Sequence, residues 1–144
     1  MKIKFFENMY GSYMEPKGKG RHGKFNFSCD VEVPSLADFA INQTARIKGT
    51  AMLEKAACNS EMSGTLVIDP LIRKELIYDF TFQGDDGSQY QFSGKKNVRF
   101  LDPVSSMTTL NGKISKDGKH FADAELRFHL LELPAFLLSF RVMI

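Results

Sequence analysis

The sequence predicts an all-β protein: a closed, antiparallel up-and-down barrel of eight or nine strands with one or two short helices. Three observations lead to this prediction. Apolar and polar residues alternate along several segments, and Asp-Gly pairs stand between neighbouring segments. Glycines also recur inside successive segments, which suits a sheet that coils until it closes and leaves no exposed edge.

The clearest strand covers residues 24–33. Successive side chains of a strand point to opposite faces, so its apolar face is predicted to be buried and its polar face to meet water. Residues 76–82 alternate in the same way. The apolar faces of the two strands carry Phe25, Phe27, Cys29, Val31 and Val33 in the first, and Leu76, Tyr78, Phe80 and Phe82 in the second.

Two hairpins are predicted at Asp86-Gly87 and Asp117-Gly118, because Asp-Gly between alternating segments favours a tight turn. The first joins residues 76–82 to a strand that begins at Tyr90. The second joins a strand ending near Ser115 to one over residues 120–128. Weaker alternation predicts the remaining strands over residues 2–13, 45–54, 63–69, 94–99 and 108–115.

Two segments break the alternation and are predicted to be short helices. Residues 34–40 begin with a proline, which suits the first turn of a helix. Residues 134–143 place Phe136, Leu137 and Phe140 at helical spacing.

Composition excludes several classes of protein. The 144 residues are 43% hydrophobic and 25% charged, which fits one globular domain over residues 1–144. A net charge of +2 gives no overall field that would attract nucleic acid. There is no apolar run of about 18 residues for a membrane span and no apolar N-terminal signal segment. We therefore expect a cytoplasmic protein without a transmembrane segment or a nucleic-acid partner; the oligomeric state stays open.

A glycine-rich loop precedes the clearest strand. Gly18, Gly20 and Gly23 match the spacing of a dinucleotide-binding loop, and residues 18–24 match most of a phosphate-binding loop. Both motifs need a following helix whose N-terminal amides hold the phosphates, whereas a strand follows here, so we predict no nucleotide cofactor. The cations of this loop leave two interpretations open, an anionic contact or a solvated hairpin loop; they are Lys17, Lys19, Arg21 and Lys24.

No motif assembles a catalytic or metal site, so we expect no enzymatic activity, no cofactor and no metal. His22, His120 and His129 lack the spacing of metal ligands, and serine nucleophile motifs are absent. Cys29 and Cys58 are too few for a disulfide framework. We expect both to be reduced, with Cys29 in the core; a single bridge is the alternative.

Two charged residues fall on faces predicted to point inward. Glu7 lies on the apolar face of the first strand, and Lys96 shares the face of Phe92 and Gly94. Burying an unpaired charge costs several kcal/mol, so we expect Glu7 and Lys96 to meet each other or the polar end of a ligand. The alternative is a β-bulge that shifts the register and turns both side chains to solvent.

The predicted interior combines aromatic residues with small ones such as Ala45, Gly49, Ala51, Ala122 and Ala124. An eight-stranded barrel has the size at which side chains fill it or one small ligand occupies it. One interpretation is therefore a filled core of large and small residues. The other is a pocket for a hydrophobic or amphipathic molecule, lined by Glu7, Phe25, Phe27, Tyr78, Phe80, Tyr90, Phe92 and Lys96.

Short motifs along the chain resemble a bacterial domain that accompanies cholesterol-oxidase-like (GMC-type) flavin oxidoreductases and related α/β-hydrolases. Residues 6–11, FENMYG, resemble its F-x-E-x-M-x-G opening. Residues 78–110 are similar to its Y-x-F-x-F…D-G…Y…G-x-K…T-T-L stretch, and residues 136–141 to its closing helix. Ser106-Met107 stand where the family often has Asp-Thr.

The resemblance implies a lipocalin-like β-barrel that acts beside enzymes of sterol and lipid metabolism. It implies no catalysis here, because the flavin site and the hydrolase triad lie in other domains of those proteins. The chain has no tryptophan, so the G-x-W signature of true lipocalins is missing and any kinship is architectural.

Two functions follow from these observations. The first is a non-enzymatic module that binds a small hydrophobic or amphipathic, lipid-like ligand inside the barrel. The alternative is a filled-core accessory domain that docks on a lipid- or sterol-active enzyme.

Overall fold

The computed structural model describes residues 2–16, 20–69, 75–97, 108–128 and 141–143. These residues form nine strands and one helix: β1 (Lys2–Met14), β2 (His22–Val33), α1 (Leu36–Asn42), β3 (Thr44–Leu53), β4 (Ala57–Asp69), β5 (Glu75–Gln83), β6 (Gln89–Asn97), β7 (Thr109–Lys116), β8 (Lys119–Arg127) and β9 (Arg141–Met143).

The strands close into an antiparallel up-and-down barrel. Each strand from β1 to β7 pairs with the next, and β8 pairs back onto β1. β1 makes the closure possible because it pairs with β2 on one side and with two strands on the other, β8 through residues 10–14 and β9 through residues 2–4. The predicted barrel of eight or nine strands is confirmed.

Alternate side chains divide the wall into a dry and a wet face, as the sequence predicts. Phe25, Phe27, Phe80 and Phe92 are each at most 2% exposed. Outward positions of the same strands carry ion pairs such as Lys95–Glu75. Removing apolar side chains from water is the main driving force for such a wall, so burial fixes which face of each strand points inward.

Both cysteines are free thiols. Cys29 is buried in the core and Cys58 is exposed. The expectation of two reduced cysteines is confirmed, and the alternative of a bridge between them is wrong.

The predicted helix at residues 34–40 is present as α1. The hydroxyl oxygen of Ser35 accepts a hydrogen bond from the backbone N–H of Asp38, which caps its first turn. Gln43 ends the helix in the left-handed conformation, with φ of 56°. The described part of the chain contains no helix long and apolar enough to cross a membrane.

The prediction of a helix over residues 134–143 is wrong at its end. Residues 141–143 form β9 instead and pair with residues 2–4 of β1. The start of β1 extends beyond its pairing with β8, and its free backbone groups accept a strand there, which outweighs local helical spacing. Residues 134–140 lie outside the described residues, as does the predicted strand end at residues 98–99.

The two ends of the barrel differ. At the end that we call the helix end, α1 connects β2 to β3, and β1, β5 and β7 begin. At the opposite end, the hairpin end, short turns connect β3 to β4, β5 to β6 and β7 to β8.

Glycines in the middle of strands let neighbouring backbones approach closely. A Cβ built on Gly49 would overlap the carbonyl oxygen of Ser28 on β2, and one on Gly64 would overlap that of Asp79 on β5. These neighbours are backbone atoms that cannot move aside without bending the wall. The recurring glycines therefore permit the curvature that closes the sheet, as predicted.

We predict that Gly49→Ala destabilises the protein by about 2 kcal/mol or more, because the added methyl group meets fixed backbone. Thr50→Ala at the exposed neighbouring position serves as the control and should cost less than about 1 kcal/mol. Urea unfolding monitored by circular dichroism measures both free energies. Equal costs for the two variants would contradict the close approach.

Candidate functional site

The expected meeting of Glu7 and Lys96 occurs inside the barrel. Glu7 lies on β1 and Lys96 on β6, and the Glu7 Oε2 and Lys96 Nζ atoms are 3.2 Å apart. The two residues are only 6% and 3% exposed. The register of β1 with β2 and of β5 with β6 is continuous through both positions, so the alternative of a bulge that turns them outward is wrong.

Tyr78 joins the pair. Its hydroxyl donates a hydrogen bond to Glu7 Oε1 at 2.5 Å, and Lys96 Nζ lies 5.0 Å from the centre of its ring. Both oxygens of the Glu7 carboxylate thus receive a donor, and the ammonium gains a cation–π contact. We call Glu7, Tyr78 and Lys96 the buried triad.

Apolar side chains occupy the inward positions on the helix-end side of the triad. Some lie on the same strand as a triad residue, and others lie on a strand that pairs with it. On each strand they are the inward residues nearer to the helix end. They are Ile3, Phe5, Val31, Val33, Leu76 and Leu110. Ala45 adds a small side chain, since it faces Leu66, which in turn faces Tyr78 across β4 and β5.

Aromatic rings fill the interior on the side of the hairpin end. Their centroids lie 4.9 to 6.4 Å apart, and the rings are at most 2% exposed. We call them the aromatic cluster: Phe25, Phe27, Phe80, Phe82 and Phe92. Tyr90 stacks on Phe82 at 5.4 Å, and Phe27 contacts Tyr78 at 6.0 Å, which links the cluster to the triad.

The eight residues predicted to line a pocket therefore separate into two groups. Glu7, Tyr78 and Lys96 form a polar site, whereas Phe25, Phe27, Phe80 and Phe92 belong to the aromatic cluster. Tyr90 lies at the edge of that cluster, where it contacts Phe82 and Phe121. A role of these residues in ligand binding stays a prediction. The sequence did not reveal that Tyr78 bonds to Glu7, because alternation tells which face a side chain occupies but not which strand it meets across the barrel.

Burial makes the Tyr78 hydroxyl and the nearby Cys29 thiol harder to deprotonate. It raises the pKa of the Tyr78 hydroxyl well above its usual value, and the charge of Glu7 and the hydrogen bond to it raise that pKa further. Burial, followed by the Glu7 charge, also raises the pKa of the Cys29 thiol, which lies opposite Glu7 on β2. A protonated, buried thiol is a poor nucleophile.

Rings that the sequence analysis did not single out cover the hairpin end. Tyr13 contacts Phe121 at 5.8 Å, and Phe121 meets Tyr90 edge-on at 5.5 Å. The Tyr13 hydroxyl also donates to the Glu54 carbonyl at 2.8 Å. A cleft of about 260 Å³ lies over these rings, bordered by charged residues such as Asp86 in the β5–β6 turn and Lys116 at the end of β7.

The basic loop before β2 is only partly described. Arg21 forms an ion pair with the buried Glu15, at 3.7 Å, and Lys24 is exposed. Lys17 and Lys19 lie outside the described residues, as does His129. Within the ranges that the structure describes, no group of three or more His, Cys, Asp or Glu residues is placed to hold a metal ion.

A scan against models of protein families and a search of curated proteins both find no match to this chain. Among solved structures, the chain is similar to a de novo designed fluorescence-activating β-barrel. The TM-score is 0.42 and the identity 12%, over 85% of this chain and 92% of the designed one. The function is therefore argued from the residues of the chain itself.

We predict that breaking the buried ion pair is far more costly than breaking an exposed one. Glu7→Gln and Lys96→Met should each lower the free energy of unfolding by about 3–5 kcal/mol, because each leaves a partner buried without its counter-charge. The double variant should lose clearly less than the sum of the two single losses.

Glu75 and Lys95 provide a matched control, because their ion pair has the same 3.2 Å separation on the outer wall, with Lys95 57% exposed. Glu75→Gln and Lys95→Met should cost at most about 1 kcal/mol each. Urea unfolding of all the variants gives the comparison. Interior losses no larger than these exposed ones would contradict the burial of the triad.

We predict a loss of stability in alkali that depends on Tyr78. An unfolded tyrosine titrates near pH 10, whereas the folded protein holds the Tyr78 proton to higher pH. The contribution is complete below about pH 10, and above it the free energy of unfolding falls by about 1.4 kcal/mol per pH unit. Tyr78→Phe should remove this part of the slope between pH 9 and 11; an unchanged slope would contradict it.

Proposed function

We propose that this protein is a non-enzymatic binding module that takes a small amphipathic, lipid-like molecule into the helix-end half of its barrel. The buried triad carries the proposal. A buried ion pair contributes little net stability, because the cost of desolvating two charges offsets their attraction. Recognition of the polar end of a ligand gives Glu7 and Lys96 a role that stability alone does not give them.

The placement of side chains supports one orientation of the ligand. Its polar end would meet Glu7, Tyr78 and Lys96, and its apolar part would extend toward the helix end among the apolar side chains there. The aromatic cluster would form the floor, since its rings fill the interior below the triad. Phe27 and Phe80 would then contact the ligand, and Tyr90 would lie beyond its reach.

The protonation of the groups near the triad supports binding without catalysis. A thiol and a phenol are ordinarily protonated at neutral pH, and burial raises the pKa of Cys29 and of Tyr78 further from it. A general base or a nucleophile would need to lose its proton near neutral pH. The sequence resemblance also favours a place beside a lipid- or sterol-active enzyme, with the module supplying binding and the enzyme supplying chemistry.

One observation favours the alternative of a filled-core accessory domain. The rings of the aromatic cluster already occupy the interior over half of the barrel, and the same filling at the helix end would leave no room for a ligand. Such a domain would act through its outer surface, where Ile41 of α1 is 86% exposed and offers an apolar contact to a partner.

Native mass spectrometry of the freshly purified protein separates the two functions. We expect the intact protein to carry an additional mass of a few hundred daltons that denaturation releases, and extraction should identify it as a lipid-like molecule. A protein without added mass that also fails to bind 1-decanol and decanoate up to their solubility limits would contradict the binding module and favour the accessory domain.

A pair of alanine variants tests where the ligand lies. Ala45 is linked to Tyr78 through cross-strand pairs with Leu66, and Ala122 is linked to Phe92 in the same way through Ile114. Valine adds the same methyl groups at either position, near the triad in Ala45→Val and near the aromatic cluster in Ala122→Val. Both alanines are fully buried. We predict that Ala45→Val weakens binding about tenfold or more while Ala122→Val changes it less than about threefold, measured by calorimetry. The reverse order would place the ligand in the aromatic half.

A further inference from the structure

The charges of the buried triad bear on the chemistry of the ligand, and this step rests on the proposed function. We infer that the triad selects an uncharged polar group, above all a hydroxyl, and discriminates against a carboxylate or a phosphate. A long-chain alcohol would therefore bind in preference to the fatty acid of the same length.

The triad is already neutral without a ligand. Glu7 contributes one negative charge, Lys96 one positive charge and Tyr78 an uncharged hydroxyl. Their contacts are short, at 3.2 Å for the ion pair and 2.5 Å for the hydrogen bond, and none of the three residues is more than 6% exposed. Water screens such charges little, so their balance matters more than it would at the surface.

An anionic ligand would disturb this balance. Its carboxylate would share the single ammonium of Lys96 with Glu7, which leaves a net negative charge within an apolar interior. Two carboxylates close together repel each other, and the extra charge loses its hydration while the described residues of the triad offer it no second counter-ion. An uncharged group avoids both costs.

The hydrogen-bonding groups of the triad suit a hydroxyl. An ammonium has three N–H donors, and among the described residues Lys96 donates one hydrogen bond, to Glu7. A ligand oxygen can accept from one of the others. The Tyr78 hydroxyl donates its hydrogen bond to Glu7, and its oxygen keeps lone pairs that can accept a hydrogen bond from the ligand. A ligand hydroxyl can accept a hydrogen bond from the Lys96 ammonium and donate one to the Tyr78 oxygen.

The decisive experiment compares 1-decanol with decanoate at pH 7.5 by isothermal titration calorimetry on the wild-type protein. The two probes share a ten-carbon chain and differ in the charge of the polar end. We expect 1-decanol to bind at least about tenfold more tightly. Methyl decanoate, which accepts hydrogen bonds but donates none, should bind between them.

The Glu7→Gln variant should reverse the preference. It removes the negative charge while the amide keeps a similar shape, so Lys96 is left without a buried counter-ion and the decanoate carboxylate can supply one. The double variant Glu7→Gln/Lys96→Met has no buried charge and should lose the gain in decanoate binding. Glu75→Gln, on the outer wall, should keep the wild-type preference.

The outcomes separate the two proposals. Decanoate binding to the wild type as tightly as 1-decanol, or more tightly, would overturn the selection by charge and leave the binding module standing. Failure of both probes and of methyl decanoate to bind would overturn the binding module itself. If Glu7→Gln does not fold, the wild-type comparison and the uncharged double variant decide the question.

Discussion

Closure of the sheet onto β1 is the constraint on which the remaining structure depends. β1 hydrogen-bonds to β2 along its whole length and to β8 and β9 on its other side. Closure turns one face of every strand into an interior from which water is excluded. Each side chain that points into this interior must then be apolar or have a polar partner. Glu7 and Lys96 are partners in an ion pair, and Tyr78 donates a hydrogen bond to Glu7.

The two halves of the interior meet the same demand in different ways. Near the hairpin end, aromatic rings pack against each other in the interior, and the charged residues lie in and beside the turns. Near the helix end, Phe5 and aliphatic side chains occupy the inward positions beside two charges and a hydroxyl. Aromatic packing stabilises the fold by burial of large apolar surfaces. A buried ion pair adds specificity of structure or of binding more readily than it adds stability.

Alternation in the sequence was enough to predict the barrel and the inward position of the site residues. It placed Phe25, Phe80, Glu7 and Lys96 on the dry face because the period of a strand is two, whatever its neighbours are. It did not predict how deep each residue lies or that Tyr78 meets Glu7 across the barrel. The contact between Glu7 and Lys96 was expected only because an unpaired buried charge is costly. Those contacts depend on the tilt and stagger of the strands, which no local pattern encodes. β9 was missed because only three residues define it, and its pairing with β1 is entirely non-local.

The pairing of β1 with β8 also has a consequence for biosynthesis. Tyr10 on β1 pairs with Arg127 on β8, and the ribosome makes all the intervening strands between these two partners. Until β8 emerges, β1 and β8 cannot meet, and the growing chain carries an open sheet with an unprotected edge. The barrel therefore cannot close before β8 has been synthesised, and a nascent chain arrested before β8 would be prone to aggregate.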